Sequence, residues 1–153
     1  GSGPVLFESG THKISTSICY EDTFSDVLRL HTMQGATVLT NLTNDGWYPN
    51  SNLGRTHFEL ARFRAIENGR PLIRATNFGT SGAFDAFGTV VAAHSFEEMK
   101  KPIEAFPVTV STNGYNTLYT RWGNIPLLLL CLLILFINII KAPHDAKLPD
   151  RHL

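Results

Sequence analysis

Residues 13–22 read KISTSICYED. The first part of this segment, residues 13–19, is rich in β-branched residues and predicts a strand. The acidic pair Glu21-Asp22 is typical of the first turn of a helix, which we expect to run to about Gln34. Cys19 therefore stands at a strand-to-helix turn, where backbone N–H groups and the helix dipole can stabilise a thiolate or an oxyanion.

Strands and helices continue to alternate downstream. A second strand is predicted at residues 36–42, and a loop at residues 41–52 surrounds Trp47; a loop of this length is more often functional than accidental. Apolar residues at helical spacing predict a helix over residues 53–68, with Gly69 as its stop. Further short strands are predicted at residues 71–77, 82–87, 89–94 and 104–110. This order of elements predicts an α+β, layered sandwich fold.

An uncharged apolar block, IPLLLLCLLILFINII, occupies residues 125–140. As a helix it would be about 24 Å long, somewhat less than the roughly 30 Å of a bilayer's hydrocarbon core. Including Trp122 and Lys141 brings the length close to a span, so we predict one C-terminal transmembrane helix over residues 122–141. The alternative is a buried core helix. Because more basic residues follow the block than precede it, residues 142–153 are predicted to form a cytoplasmic tail.

The composition suits one domain with a real core, because 43% of the 153 residues are hydrophobic and the formal net charge is zero. Nothing in it points to a nucleic-acid partner. The two cysteines, Cys19 and Cys131, lie in different surroundings, so we do not expect a disulfide. No Cys/His spacing resembles a metal site. Residues 1–12 are interpreted as a linker and truncated start of the domain.

Several further motifs extend the pattern around Cys19. They are SICYED at residues 17–22, NLTNDGWY at 41–48, HF at 57–58, ARFRAIENGRPLIRATN at 61–77 and TLYTRWGN at 117–124. In order and spacing this set resembles the apolipoprotein N-acyltransferase family of the nitrilase superfamily. The resemblance covers about residues 13–140 and implies that residues 13–121 are the C-terminal part of a nitrilase-type αββα sandwich.

The resemblance also implies an activity and its partners. Members of this family take a fatty acyl chain from a phospholipid, hold it as a cysteine thioester, and transfer it to the N-terminal amine of a diacylglyceryl-cysteine apolipoprotein. The implied partners are a phospholipid donor, an apolipoprotein acceptor and the lipid bilayer, and no cofactor is implied. The implied location is the bacterial inner membrane, with the catalytic domain facing the periplasm.

Four residues match functional positions of the family. Cys19 is implied to be the nucleophile, and the backbone N–H of Tyr20 to contribute to the oxyanion hole. Glu21 is implied to orient substrate or a lysine, and its alternative role is that of an acid at a helix start. Trp47 is implied to contact substrate, and its alternative role is ordinary packing. His57 and the arginines of residues 62–74 are interpreted as ion-paired structure rather than as catalytic groups.

The family's general-base glutamate and its lysine lie well upstream of the nucleophile. Before Cys19, the only glutamate is Glu8 and the only lysine is Lys13, and neither stands in a sequence context that matches the family's. We therefore expect the chain by itself to bury its sheet incompletely, to be poorly soluble and to be inactive. Two other functions remain open from the sequence: a nitrilase-type amidase acting on a small C–N substrate, and a non-catalytic membrane-anchored binding module in which Cys19 is only packed.

Overall fold

The computed structural model describes residues 3–47, 51–95 and 105–141. The chain divides into two compact units, Gly1–Gly123 and Asn124–Leu153. The first unit contains a six-stranded sheet whose strands are neighbours in the order in which they occur along the chain. The strands are β1 Leu6–Ser9, β2 His12–Ile18, β3 Val38–Thr43, β4 Leu72–Thr76, β5 Thr80–Phe84 and β6 Val90–Ser95. The helices of this unit are α1 Ser25–Met33, α2 Leu53–Asn68 and α3 Leu118–Trp122.

Strands β2, β3 and β4 run parallel to one another. Parallel neighbours need a crossover connection, and α1 and α2 supply the two crossovers. Strands β1, β5 and β6 pair antiparallel. The register pairs Ile18 with Leu42 and Thr43 with Thr76, so the carboxyl ends of β2, β3 and β4 meet at one edge of the sheet.

Helices α1 and α2 cover one face of this sheet. The core between them and the strands includes Leu28, Leu39, Phe58, Leu72 and Phe84, and the rings of Phe58 and Phe84 lie 4.5 Å apart between centroids. Side chains alternate between the two faces of a strand. On the face that points away from the helices, the last residues of this row on β2 and β3 are half exposed, since Ile18 is 54% and Leu42 50% exposed. This agrees with the expectation of an incompletely buried sheet.

The helix predicted over residues 53–68 is confirmed as α2, and Gly69 ends it with a φ of 58°. The first predicted strand is β2, which ends at Ile18, so that Cys19–Thr23 form a 3-10 turn before α1. The strands predicted around residues 36–42, 71–77, 82–87 and 89–94 correspond to β3 to β6 with shifted ends. The strand predicted over residues 104–110 is wrong for residues 105–110, which pair with no neighbour, and residue 104 lies outside the described residues.

The second unit contains helix α4, Ile125–Lys141, and none of its residues is buried. Trp122 is the last residue of α3, which Gly123 caps, so the helix predicted over residues 122–141 begins only at Ile125. Across the described ranges, we find no helix with both the length and the apolar character required to cross a membrane. The tail predicted at residues 142–153 lies outside the described part of the chain.

Candidate active site

Cys19 occupies a strained turn directly after β2. Its φ is 53°, and among the described residues no other non-glycine residue has a positive φ. Such a conformation costs on the order of 1–3 kcal/mol and is held only where the surrounding structure compensates. Two features hold the Cys19 backbone in this conformation. The side-chain amide of Asn41, on the neighbouring strand β3, donates to the Cys19 carbonyl oxygen at 3.0 Å, and residues 19–23 form a 3-10 turn.

The thiol of Cys19 is half-buried and its environment favours the thiolate. The pKa of Cys19 is lowered chiefly by a hydrogen bond from the Thr43 hydroxyl, while partial burial of the thiol opposes this effect. Backbone N–H groups of Asn44 and Tyr20 and the positive charge of His57 lower the pKa further. A cysteine with a lowered pKa and partial exposure is the kind that reacts as a nucleophile.

A cavity of about 560 Å³ opens beside this thiol. Its wall combines Cys19 with the apolar parts of Tyr20, Trp47 and Leu53, and Trp47 itself is 77% exposed. His57 also contributes to the wall. The cavity thus places the sulfur of Cys19 next to a largely apolar surface that is accessible from solvent.

Four buried ionic side chains form a closed cluster next to the cavity. The two ring nitrogens of His57 bond different carboxylates, Nε2 to Asp22 Oδ1 at 2.5 Å and Nδ1 to Asp45 Oδ1 at 2.9 Å. Arg74 bonds the remaining oxygen of each, Asp22 Oδ2 at 3.1 Å and Asp45 Oδ2 at 2.7 Å. With His57 protonated, two positive charges balance two negative charges, which is what a buried ionic group requires.

Each member of this cluster comes from a different element. Asp22 lies on the 3-10 turn that begins with Cys19, and Asp45 lies on the turn that ends with Trp47. His57 lies on α2 and Arg74 on β4. The cluster therefore joins the turn that carries the cysteine to the turn that carries the tryptophan.

His57 is an imidazolium at neutral pH. Burial by itself would lower the pKa of His57, but the hydrogen bonds to Asp22 and Asp45 outweigh burial and raise the pKa to about 9. For Asp45, burial would raise the pKa, yet the hydrogen bond from His57 and the charge of Arg74 lower it overall. Both ring nitrogens of His57 are therefore donors and Asp45 remains a carboxylate.

This protonation predicts a specific pH dependence of stability. The folded-state pKa of His57, about 9, lies above the ordinary 6.5, so the stabilisation is complete below pH 6.5 and is lost as the pH rises through 9. The loss amounts to about 3 kcal/mol, from about 1.4 kcal/mol per pKa unit. Urea unfolding between pH 6 and 10 measures it, ideally with Cys19→Ser, because the lowered pKa of the thiol adds stability over the same range.

His31 provides the matched control for that experiment. It is also a buried, helix-borne histidine, bonded to Ser15, but burial lowers its pKa. His31→Gln should leave the loss of stability above pH 6.5 unchanged, whereas His57→Gln should remove it. In the Cys19→Ser chain, which lacks the opposing contribution of the thiol, an unfolding free energy that stays level up to pH 10 would contradict the assignment of His57 as an imidazolium.

The structure brings three of the four sequence-predicted site residues together. Cys19, Tyr20 and Trp47 line the same cavity, whereas Glu21 does not. The Glu21 carboxylate is exposed and accepts the backbone N–H of Ile18 at 2.7 Å. Its geometry is that of an acid at a helical start, the alternative role considered from the sequence.

Two of the four members of the ionic cluster, Asp22 and Asp45, were not predicted from the sequence, and neither was the role of Asn41. His57 and Arg74 were interpreted as ion-paired structure. Ion pairing is confirmed for both, since each bonds the two aspartates. The sequence feature that could have predicted the cluster is the presence of polar residues soon after β2 and β3. The carboxyl ends of adjacent parallel strands meet at one edge of a sheet, so such residues lie close together.

The fold and the site together define an α+β protein with a cysteine of lowered pKa at the carboxyl edge of its parallel strands. Residues 1–106 match the carbon-nitrogen hydrolase family. The chain therefore belongs to the carbon-nitrogen hydrolase family, in agreement with the resemblance to the nitrilase superfamily seen in its motifs.

Similar proteins narrow the relationship further. The chain is 40% identical over 123 residues to the apolipoprotein N-acyltransferase of Chlamydia caviae, a match that covers 79% of this chain and 23% of that protein. It is 36% identical over 138 residues to apolipoprotein N-acyltransferase 1 of Treponema denticola, covering 88% of this chain and 24% of that protein. The chain thus spans about a quarter of the length of these curated relatives.

Solved structures show the same fold. An amidase from Nesterenkonia sp. superposes with a TM-score of 0.52 at 20% identity, covering 62% of this chain and 38% of the amidase. Saccharomyces cerevisiae Nit3, a member of branch 10 of the nitrilase superfamily, superposes with a TM-score of 0.51 at 21% identity, with coverages of 62% and 38%. These matches confirm the nitrilase-like α+β fold expected from the sequence.

Proposed function

We propose that this chain supplies the nucleophile of an apolipoprotein N-acyltransferase, acting within a protein of the relatives' full length. One observation carries the proposal: Cys19 has a lowered pKa in a strained turn and opens into a largely apolar cavity of about 560 Å³. The two curated relatives are named for this activity. A thiolate next to an apolar surface suits a fatty acyl ester as first substrate.

In the first step, the Cys19 thiolate attacks the carbonyl carbon of a phospholipid ester. A carbon–sulfur bond forms, and the carbonyl oxygen becomes an oxyanion. When this tetrahedral intermediate collapses, the ester carbon–oxygen bond breaks, and the lysophospholipid leaves as an alcohol after taking up a proton. The acyl chain remains on Cys19 as a thioester, which divides a difficult ester-to-amide exchange into two easier steps.

In the second step, the neutral α-amine of a diacylglyceryl-cysteine polypeptide attacks the thioester carbonyl carbon. A carbon–nitrogen bond forms, the carbon–sulfur bond breaks, and the nitrogen loses one proton. The products are the N-acylated lipoprotein and the regenerated thiolate. Sulfur serves both steps because a thiolate is a good nucleophile and also a good leaving group.

The chain offers donors for the charges that develop in both steps. The backbone N–H groups of Tyr20 and Asn44 help to lower the pKa of Cys19, and we propose that the N–H of Tyr20 donates to the oxyanion. Donors aimed at developing charge are commonly worth about 10²–10³ in rate. Trp47, exposed at the rim of the cavity, is proposed to contact an acyl chain of either substrate.

Proton transfer is assigned to groups of the longer protein. The resemblance implies a glutamate base and a lysine upstream of the nucleophile. In the cavity wall of this chain, Asp45 and His57 are bonded to each other and to the ionic cluster. We therefore propose that the upstream glutamate carries the proton between the leaving alcohol and the attacking amine, and that Glu21 helps to orient the lysine.

The membrane location is part of the same proposal. A phospholipid donor resides in a bilayer, and more basic residues follow the apolar block at residues 125–140 than precede it. By the positive-inside rule, this bias supports a site on the periplasmic side of the bacterial inner membrane.

The proposal predicts a covalent acyl-enzyme. We suggest grafting this chain in place of the matched region of the Treponema denticola relative, and incubating the purified chimera with phosphatidylethanolamine vesicles. Intact mass spectrometry should show one fatty-acyl increment that hydroxylamine removes and that Cys19→Ala lacks. A monodisperse chimera that shows no such increment would overturn the proposal. An increment that disappears in water without a peptide acceptor would instead indicate a hydrolase.

A further inference from the structure

We propose that His57 is a positioning residue for the nucleophile: bonded between Asp22 and Asp45, it clamps the Cys19 turn to the Trp47 turn and holds a positive charge in the cavity wall. This inference rests on the proposed role of Cys19. It goes beyond that role because it gives part of the control over the thiol to a residue of helix α2 that need not touch substrate.

The bonding geometry explains why a histidine occupies this position. His57 is 1% exposed, and its two ring nitrogens reach carboxylates on opposite sides at 2.5 and 2.9 Å. A protonated imidazole has two N–H donors that point away from each other in one plane, so one small rigid ring can bridge two carboxylates. An amide or an ammonium group in this position would bridge them with poorer geometry or with a more mobile side chain.

Two paths connect the clamp to the nucleophile on this side of the site. The ring of Tyr20, the residue after Cys19, lies 5.7 Å from the ring of His57 between centroids. The Thr43 hydroxyl has one proton, which it donates either to Asp45 Oδ1, 3.2 Å away, or to the sulfur of Cys19, where it lowers the pKa of the thiol. Because His57 Nδ1 donates to the same Asp45 Oδ1, Thr43 can give its proton to the thiolate.

A third path runs through the strands. Arg74 donates to Asn41 Oδ1 at 2.6 Å, and the amide nitrogen of Asn41 donates to the carbonyl oxygen of Cys19 at 3.0 Å. Arg74 and His57 share the same two aspartates. Loss of the imidazolium would leave Arg74 alone with two carboxylates and would loosen the bond that holds the strained Cys19 turn.

The charges that face His57 all belong to this site. They are the carboxylates of Asp22 and Asp45, the guanidinium of Arg74 and the thiolate of Cys19. Because the imidazolium favours the thiolate, the thiolate must favour the imidazolium to the same extent. The coupling between the two groups can therefore be measured either in the titration of Cys19 or in the titration of His57.

Alkylation of Cys19 tests the clamp. In the full chain carrying Cys131→Ala, the rate of reaction with iodoacetamide is followed by intact mass between pH 5 and 10. His57→Gln should raise the midpoint of the profile and slow alkylation below that midpoint severalfold, because the thiolate loses a positive charge and its turn loses the clamp. His31→Gln, on α1 and bonded to Ser15, should leave the profile unchanged.

The outcomes separate this inference from the proposed function. An unreactive Cys19 in the unsubstituted chain would count against the nucleophile itself. A reactive Cys19 whose profile is the same in a folded His57→Gln chain would overturn the clamp and leave the nucleophile in place.

A second measurement decides the matter if His57→Gln does not fold. In the reverse direction, Cys19→Ser removes the thiolate without disturbing the cluster, so the pKa of His57 measured by NMR should fall below its starting value of about 9. An identical His57 titration in both chains would also overturn the inference.

Discussion

Replacing Arg74 with methionine is expected to destabilise the fold by about 3–5 kcal/mol, the range for removing one partner of a buried ion pair. Arg74 is 1% exposed and is bonded to Asp22, Asp45 and Asn41. Methionine fills much of the same volume but leaves two buried carboxylates with a single cation. Urea unfolding followed by circular dichroism at pH 7 measures the change in unfolding free energy.

The same substitution at Arg55 is the control. Arg55 is exposed on α2, so Arg55→Met should change the unfolding free energy by less than about 0.5 kcal/mol. A comparable loss of stability in both variants would mean that the buried cluster contributes no more than an exposed arginine. It would also weaken the inference drawn for His57, which shares the two aspartates.

Replacing Cys19 with alanine is expected to lower acyl transfer by at least about 10⁴-fold, the scale on which removal of a nucleophile reduces turnover in other enzymes. The substitution takes away the atom that carries the thioester, so no upstream group can compensate. The assay is transfer of a fatty acyl chain from phosphatidylethanolamine to a diacylglyceryl-cysteine peptide by the Treponema denticola chimera.

Cys131→Ala is the control for this second experiment. Cys131 belongs to the apolar helix α4 and to none of the motifs of the site, so transfer should be retained within about twofold, a small fraction of a kcal/mol. Substantial transfer by Cys19→Ala, or a loss of equal size in Cys131→Ala, would contradict the assignment of the nucleophile. Neither variant changes the charge of the ionic cluster, so stability should be close to that of the parent.

Local patterns in the chain were enough to predict several elements. Apolar spacing and the stop at Gly69 predicted α2 with its bounds, because helix periodicity and a left-handed glycine cap are properties of neighbouring residues. The same holds for β2 and for the place of Cys19 at its end. Recognition of the family followed from ordered motifs around that cysteine, and the comparisons confirmed it.

Other features depend on contacts that no local pattern encodes. Residues 105–110 look like a strand but pair with no neighbour, because strand propensity is realised only where a partner accepts the backbone hydrogen bonds. Glu21 matched a functional position, yet its carboxylate turns to the nearby Ile18 N–H. A short-range hydrogen bond within one turn was available to it, and Glu21 does not line the cavity.

By itself, the sequence determined the α+β class, the helix α2, the family and the position of Cys19 at a strand-to-helix turn. The tertiary structure alone decided the environment of that cysteine: its strained φ, the Thr43 hydroxyl that lowers the pKa of its thiol, and the ionic cluster beside the cavity. Asp22 and Arg74 bond each other across 52 positions of the chain. Such a pair forms only because parallel strands and their crossover helices bring the carboxyl ends of β2, β3 and β4 to one edge of the sheet.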